Sequence, residues 1–142
     1  MKVKKYLIMG LCAIVLVIIV VFYYFQNRIV YTLEIPQVGE VQDISISKNA
    51  GEYNTISDIE DMQNILGVLG NNKTTTKESV NDIPMIVDNI IDINLNYTNK
   101  EKFTIYIYEN NGKFFIEQPY NGIYRITKDD YKKIDFYAST EK

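Results

Sequence analysis

The sequence predicts an α+β protein: an N-terminal transmembrane helix, then a small domain with an antiparallel β-meander and helices packed on one face. Three observations predict it. Tyr6 to Phe25 is an unbroken run without charge. Four short segments between Ile90 and Ile126 have strand character and are joined by turn signals. Segments of helical spacing precede and follow that meander.

The first run reads YLIMGLCAIVLVIIVVFYYF. At about 1.5 Å per residue it reaches roughly 30 Å, the thickness of a bilayer's hydrocarbon core. A cleaved secretory signal would have a shorter apolar run and a small-x-small site. This run is longer and ends in Phe22, Tyr23, Tyr24 and Phe25, rings suited to headgroup depth. Leu11 before Cys12 is not the small residue a lipoprotein signal needs, so a permanent anchor is expected. Lys2, Lys4 and Lys5 precede the run and only Arg28 closely follows it. The positive-inside rule then gives a single-pass cell-membrane protein with a cytoplasmic N-terminus and an extracellular C-terminal domain. The expected divisions are 1–5 cytoplasmic, 6–25 transmembrane, 26–40 a stalk broken by Pro36 and Gly39, and 41–142 the extracytoplasmic domain.

About 115 residues follow the anchor, enough for one small core. The chain has 15 basic and 18 acidic residues. Setting aside the three N-terminal lysines leaves 12 against 18, a net charge near −6 outside the membrane. Such a domain disfavours nucleic acid and suits cations or basic peptides. The single cysteine excludes an intrachain disulfide. With no His, the commonest general base and transition-metal ligand is missing. A composition rich in Ile, Asn and Lys, without Trp, fits a low-GC bacterium.

Along the outer chain, Val41 to Ser47 alternates apolar and polar residues as a half-buried strand does. Asn49-Ala50-Gly51 turns, and Glu52 to Ile56 pairs back. Ser57 to Leu69 is a helix with Ser57 as N-cap and Glu60 completing a capping box. Its apolar face is Ile59, Met62, Ile65, Leu66 and Leu69, and Gly70 ends it. Asn71 to Ser79 reads as a polar loop, closed by Asn81-Asp82-Ile83-Pro84. The meander follows as Ile90–Tyr97, Phe103–Tyr108, Phe114–Gln118 and Ile123–Ile126. Asn111-Gly112 is the strongest hairpin signal, because a type I′ turn needs positive φ at both central residues. Thr127 caps a last helix with Tyr131, Ile134 and Phe136 or Tyr137 facing inward.

The turn at Asn111-Gly112 sets Ile107 opposite Ile116 and Glu109 opposite Phe114. Ile105, Ile107, Phe114 and Ile116 then face the helices. The other face shows Tyr106, Tyr108, Phe115 and Glu117, joined by Arg125 if 119–122 is a longer loop. Rigid rings with one Arg and one Glu suit a peptide or a ring-bearing ligand, and Tyr120 stands beside them in the turn. The other reading of this stripe is cross-strand pairing, or cover by the N-terminal strands. Glu109 and Glu117 fall on opposite faces, against a glycosidase pair. Asp58-Ile59-Glu60-Asp61 lacks the ligand alternation of a calcium loop. Ser79 and Ser45 have no His to activate them. No catalytic residue, cofactor or metal site is expected.

Three runs together resemble a known family: the helix Ser57–Leu69, the segment Lys77-Glu78-Ser79-Val80-Asn81-Asp82-Ile83-Pro84, and Phe115-Ile116-Glu117-Gln118-Pro119-Tyr120-Asn121-Gly122-Ile123-Tyr124. It is a family of small membrane-anchored extracytoplasmic proteins of Gram-positive bacteria, a domain of unknown function. The likeness spans Val41 to Tyr137 and implies a surface location without implying an activity. The expected function is a non-enzymatic, membrane-tethered module that binds a peptide, protein or small molecule at the outer membrane face. The alternatives are an immunity or transporter-accessory protein against a cationic peptide, and, remotely, a carboxylate-dependent hydrolase.

Overall fold

The computed structural model describes residues 2–26, 28–70 and 73–139. Met1, Asn27, Asn71, Asn72 and residues 140–142, parts of the expected N-terminus, stalk, loop and domain end, lie outside the described residues. Helix α1 (Lys2–Gln26) contains the apolar run. Its stretch Ile8–Gln26 is long and apolar enough to cross a membrane, and none of it is buried by the protein. Length and composition fit a membrane anchor or a signal sequence.

The rest folds around a six-stranded antiparallel sheet. The expected meander is present as β5 (Asp88–Tyr97), β6 (Lys102–Asn110), β7 (Lys113–Glu117) and β8 (Ile123–Ile126). Strands β2 (Val41–Lys48) and β3 (Asn54–Ile56) extend it beyond β5, giving the order β3-β2-β5-β6-β7-β8. A separate pair joins β1 (Tyr31–Leu33) to β4 (Lys73–Thr75). Asn111 and Gly112 take φ of 51° and 71°, the type I′ signature. The register follows: Ile107 faces Ile116, Glu109 faces Phe114, and Phe115 faces Arg125.

One sheet face is almost wholly aliphatic. Ile44, Ile46, Ile91, Ile93, Ile105, Ile107 and Ile116 have no exposed surface, and β-branched side chains pack well on a pleated face. Each such side chain contributes roughly 1.5–3 kcal/mol when removed from water. Helices α2 (Ile59–Leu69) and α3 (Lys128–Ser139) close this face. They bury Met62, Ile65, Leu66 and Leu69, and Tyr131 and Ile134. Thr127 caps α3: its Oγ1 accepts the Asp130 N–H at 3.1 Å and donates to the Asp130 carboxylate at 2.8 Å.

Several boundaries differ from expectation. The N-cap of α2 is Asp58, not Ser57: its Oδ1 accepts from the N–H groups of Glu60 at 3.0 Å and Asp61 at 3.1 Å. A carboxylate at the positive end of the helix dipole outcompetes a hydroxyl one residue earlier. Starting one residue later leaves Ile59 exposed in the first turn, off the buried stripe. On α3, Phe136 is exposed and Tyr137 packs partly against the core. Part of the expected 26–40 stalk belongs to the folded unit. Tyr31–Leu33 pairs with β4, and Leu33 and Ile35 are buried. Leu33 and Ile35 alternate with Thr32 and Glu34, a period-2 signal that places the apolar pair inside. The polar segment after α2 likewise contains β4 rather than only loop, since Thr is β-branched and suits a strand.

Candidate functional site

On the sheet face away from the helices, the register sets Tyr106 opposite Glu117 and Tyr108 opposite Phe115. This is the expected stripe, but residues 77–84 lie across it. Glu117 is only 3% exposed, and both its oxygens are occupied. Ser79 Oγ donates to Oε1 at 2.6 Å and Tyr108 Oη donates to Oε2 at 2.8 Å. Burial, and then the hydrogen bond to the Glu117 carboxylate, push the Tyr108 phenol well above its ordinary range. Tyr106 is buried as well.

Of the six expected site residues, the structure therefore brings Tyr108, Phe115 and Glu117 together, with the two rings 5.7 Å apart. It covers Tyr106, Tyr108 and Glu117. Phe115 is half-buried, with Lys77 Nζ 5.5 Å from its ring centre. Arg125 is exposed beside it. Tyr120 stands apart in the β7–β8 turn, exposed, and donates to Asp82 at 2.6 Å. The cover comes from the β4–β5 connection rather than from the N-terminal strands. A contact between residues 38 positions apart, carried by polar side chains, has no periodic signature.

The two motif-bearing segments meet in this clamp. Ser79 N–H donates to Asn121 O at 3.1 Å, and Ile123 N–H donates to Lys77 O at 2.9 Å. Asn121 Nδ2 donates to Thr32 O at 3.0 Å, which ties β1 to the same turn. Gly122 is required there: a Cβ would stand 2.7 Å from both Tyr124 Oη and Thr75 Cγ2.

A cleft of about 540 Å³ opens beside Asn121, at the β7–β8 turn of this clamp. Its walls include Glu34 and Glu40 from the segment after β1, Tyr97 and Phe103 from the β5–β6 hairpin, and Gln118 and Asn121 from the β7–β8 turn. Glu40 is fixed within its turn: Oε2 accepts the Gln37 N–H at 2.8 Å. The Tyr97 phenol is pushed up by burial, and further by the carboxylates of Glu40 and Glu101. The cleft thus combines negative field, two rings and two amides. None of its residues belongs to the expected set. The alternation Thr32-Leu33-Glu34-Ile35 carried the available signal, since it points Glu34 outward while anchoring the segment. A second groove of about 640 Å³ runs between α2 and α3, past Val68, Phe136 and Tyr137. Among the described residues, no group of three or more His, Cys, Asp or Glu converges on a metal position.

A family model, DUF5301, described as a domain of unknown function (DUF5300), matches residues 27–125. The chain belongs to the DUF5301 family. The match begins ahead of β1, so the DUF5301 domain takes in most of the segment expected as a stalk. It ends at β8, before α3. The domain is also similar to a protein from Ruminococcus gnavus whose structure was determined by NMR. The two are 32% identical with a TM-score of 0.58, over 70% of this chain and 98% of that one. No curated protein matches the chain.

Proposed function

We propose that this DUF5301 protein is a membrane-tethered, non-enzymatic binding module that takes a basic ligand in the cleft beside Glu34 and Glu40. Helix α1 is the single-pass anchor in the membrane of a Gram-positive bacterium. Lys2, Lys4 and Lys5 keep its N-terminus in the cytoplasm, and the domain from Arg28 onward stands outside.

The observation that carries the reading is the cleft's make-up. Glu34 and Glu40 supply charge for an ammonium or guanidinium group. Tyr97 and Phe103 offer ring faces to the same cation. Asn121 Nδ2 is taken by Thr32 O and Gln118 Oε1, which leaves Gln118 Nε2 as a donor and Asn121 Oδ1 as an acceptor for a peptide backbone. The excess of acidic residues outside the membrane draws cations toward it. The exposed or half-exposed members of the stripe, Phe115 and Arg125, form a secondary contact surface, with Tyr120 apart from them in the β7–β8 turn. The same cleft favours the immunity or transporter-accessory role as the second reading, because a cationic peptide is the ligand it suits.

Calorimetric titration of the full chain in detergent micelles tests this, with a lysine-rich peptide and its Nε-acetylated counterpart as ligands. The basic peptide binds saturably and more weakly as salt rises, and the acetylated one does not bind. Equal binding of both, or of neither, overturns the proposal.

A further inference from the structure

We propose that the cleft where α1 meets the domain binds the headgroup of an amine-bearing zwitterionic phospholipid, with Arg28 on its phosphate and Glu78 on its ammonium. This rests on the reading of α1 as a membrane anchor. The cleft holds about 330 Å³ and is lined by Tyr24 and Arg28 from the anchor side and by Tyr31, Thr76 and Glu78 from the domain. Small-ligand sites begin at about that size, roughly 300 Å³.

Each charged group is held in a way that leaves it able to take a ligand. The Arg28 guanidinium carbon lies 5.3 Å from the ring centre of Tyr24 and 4.9 Å from that of Phe25. Stacking occupies the faces of the guanidinium and leaves its in-plane N–H fork, which matches two phosphate oxygens. Glu78 is exposed, but its backbone is fixed by a β-bridge to Gly122 and by the flanking hydrogen bonds of Lys77 with Ile123 and of Ser79 with Asn121. The Tyr31 phenol is pushed up by burial, and further by the Glu78 carboxylate beside it, so it stays protonated there. A carboxylate has lone pairs to spare after one phenol and still accepts from an ammonium. Among the described residues, Arg28 and Glu78 share the cleft without an ion pair between them. A headgroup that carries both charges fills the gap between such a cation and anion.

The depth of the cleft identifies the occupant. The apolar stretch ends at Gln26, and Arg28 follows it by two residues, within about 7 Å. The headgroup layer is about 5–8 Å thick on each side of the hydrocarbon core. The cleft therefore opens among headgroups, where phosphate and ammonium are most concentrated. Its two charges select among them. A headgroup that carries only phosphate brings a like charge to the Glu78 carboxylate, which disfavours it. A trimethylated ammonium has no N–H to give that carboxylate. A primary ammonium on the same headgroup as the phosphate satisfies both ends with charge-assisted hydrogen bonds.

The test places the full chain in nanodiscs of equal parts phosphatidylethanolamine, phosphatidylcholine and phosphatidylglycerol, and reads the lipid that stays bound by native mass spectrometry. The expected result is one retained phosphatidylethanolamine per chain. Arg28→Gln and Glu78→Gln each lower that retention roughly tenfold, the loss of a charge-assisted hydrogen bond. The Glu34→Gln, Glu40→Gln double variant leaves it unchanged. Arg28 is exposed and precedes β1, so Arg28→Gln decides the matter even where Glu78→Gln disturbs folding. Equal retention of the three lipids overturns the proposal, as does a preference for phosphatidylglycerol or undiminished retention in Arg28→Gln. Loss of the lipid in the Glu34, Glu40 variant also overturns it, by moving the lipid to the other cleft. Equimolar phosphoethanolamine in solution displaces none of the lipid; displacement makes a soluble amino-phosphate the ligand and overturns the lipid as the source. Flotation of alkali-washed vesicles reads the anchor separately. A chain that floats but retains no phosphatidylethanolamine overturns the headgroup site and leaves the anchor standing. A chain that does not float removes the anchor reading, and the headgroup site falls with it.

Discussion

Ser79 Oγ donates a 2.6 Å hydrogen bond to Glu117 Oε1, joining the β4–β5 connection to the C-terminal end of strand β7. With Tyr108 on the other oxygen, a buried carboxylate is satisfied by two hydroxyls. A buried acid left short of partners is costly, so this pair holds residues 77–84 over the far face of the sheet.

Ser79→Ala leaves one Glu117 oxygen without its donor in a buried site. The expected loss is about 1–3 kcal/mol, read as a lower melting temperature of the full chain in detergent. Tyr108→Phe has a similar effect. The double variant loses less than the sum, because both donors serve one carboxylate. An unchanged melting temperature for Ser79→Ala contradicts the clamp.

The buried phenols make stability fall at alkaline pH. Tyr131 is pushed up to about 12 by burial, helped by the carboxylates of Asp135 and Glu109, and Tyr108 is raised further. A phenol whose folded pKa lies above the unfolded value favours the protonated form when folded. Its stabilisation is complete below the unfolded value of about 10 and is lost as pH rises through the folded one. Denaturant midpoints should hold to about pH 10 and then decline. Tyrosinate absorbance should rise first from exposed rings, with Tyr108 and Tyr131 ionising only as the domain unfolds. Full ionisation of all tyrosines in the folded protein near their ordinary value contradicts this.

Gly122→Ala forces a methyl against Tyr124 Oη and Thr75 Cγ2, and Tyr124 is buried with no room to yield. Overpacking of this kind costs about 1–3 kcal/mol. Gly39→Ala, where an added Cβ meets nothing within 4 Å, serves as the control and should leave the melting temperature nearly unchanged.

Gly112→Ala isolates backbone conformation from packing. The site is open, with nothing within 4 Å of an added Cβ, but φ is +71°. The expected loss is about 1–2 kcal/mol from the left-handed conformation alone. A neutral result would mean that the hairpin tolerates another turn type.

The sheet's register was legible because Asn111-Gly112 is a local signal and the strands alternate with period 2. The helix faces were legible for the same kind of reason: Met62, Ile65, Leu66 and Leu69 repeat at helical spacing. The cap of α2 was missed because Ser57 and Asp58 both qualify, and only the geometry of the first turn selects between them. The stripe Tyr106, Tyr108 and Glu117 was placed on the correct face, but its cover was invisible. Ser79 reaches Glu117 across 38 residues, and nothing in the local pattern announces a polar contact of that range. The cleft was invisible for a related reason. Its walls come from three separate segments, and the one expected as a stalk supplies both carboxylates.

The most direct measurement is the affinity of a Glu34→Gln, Glu40→Gln double variant for the lysine-rich peptide, beside the native chain. Both residues are exposed, so the fold and melting temperature should hold. Exposed ion pairs contribute about 0.2–1 kcal/mol each, so losing both should weaken binding by up to roughly thirtyfold. The binding that remains should lose most of its salt dependence. Undiminished affinity with the native salt dependence would contradict the assignment of the cleft.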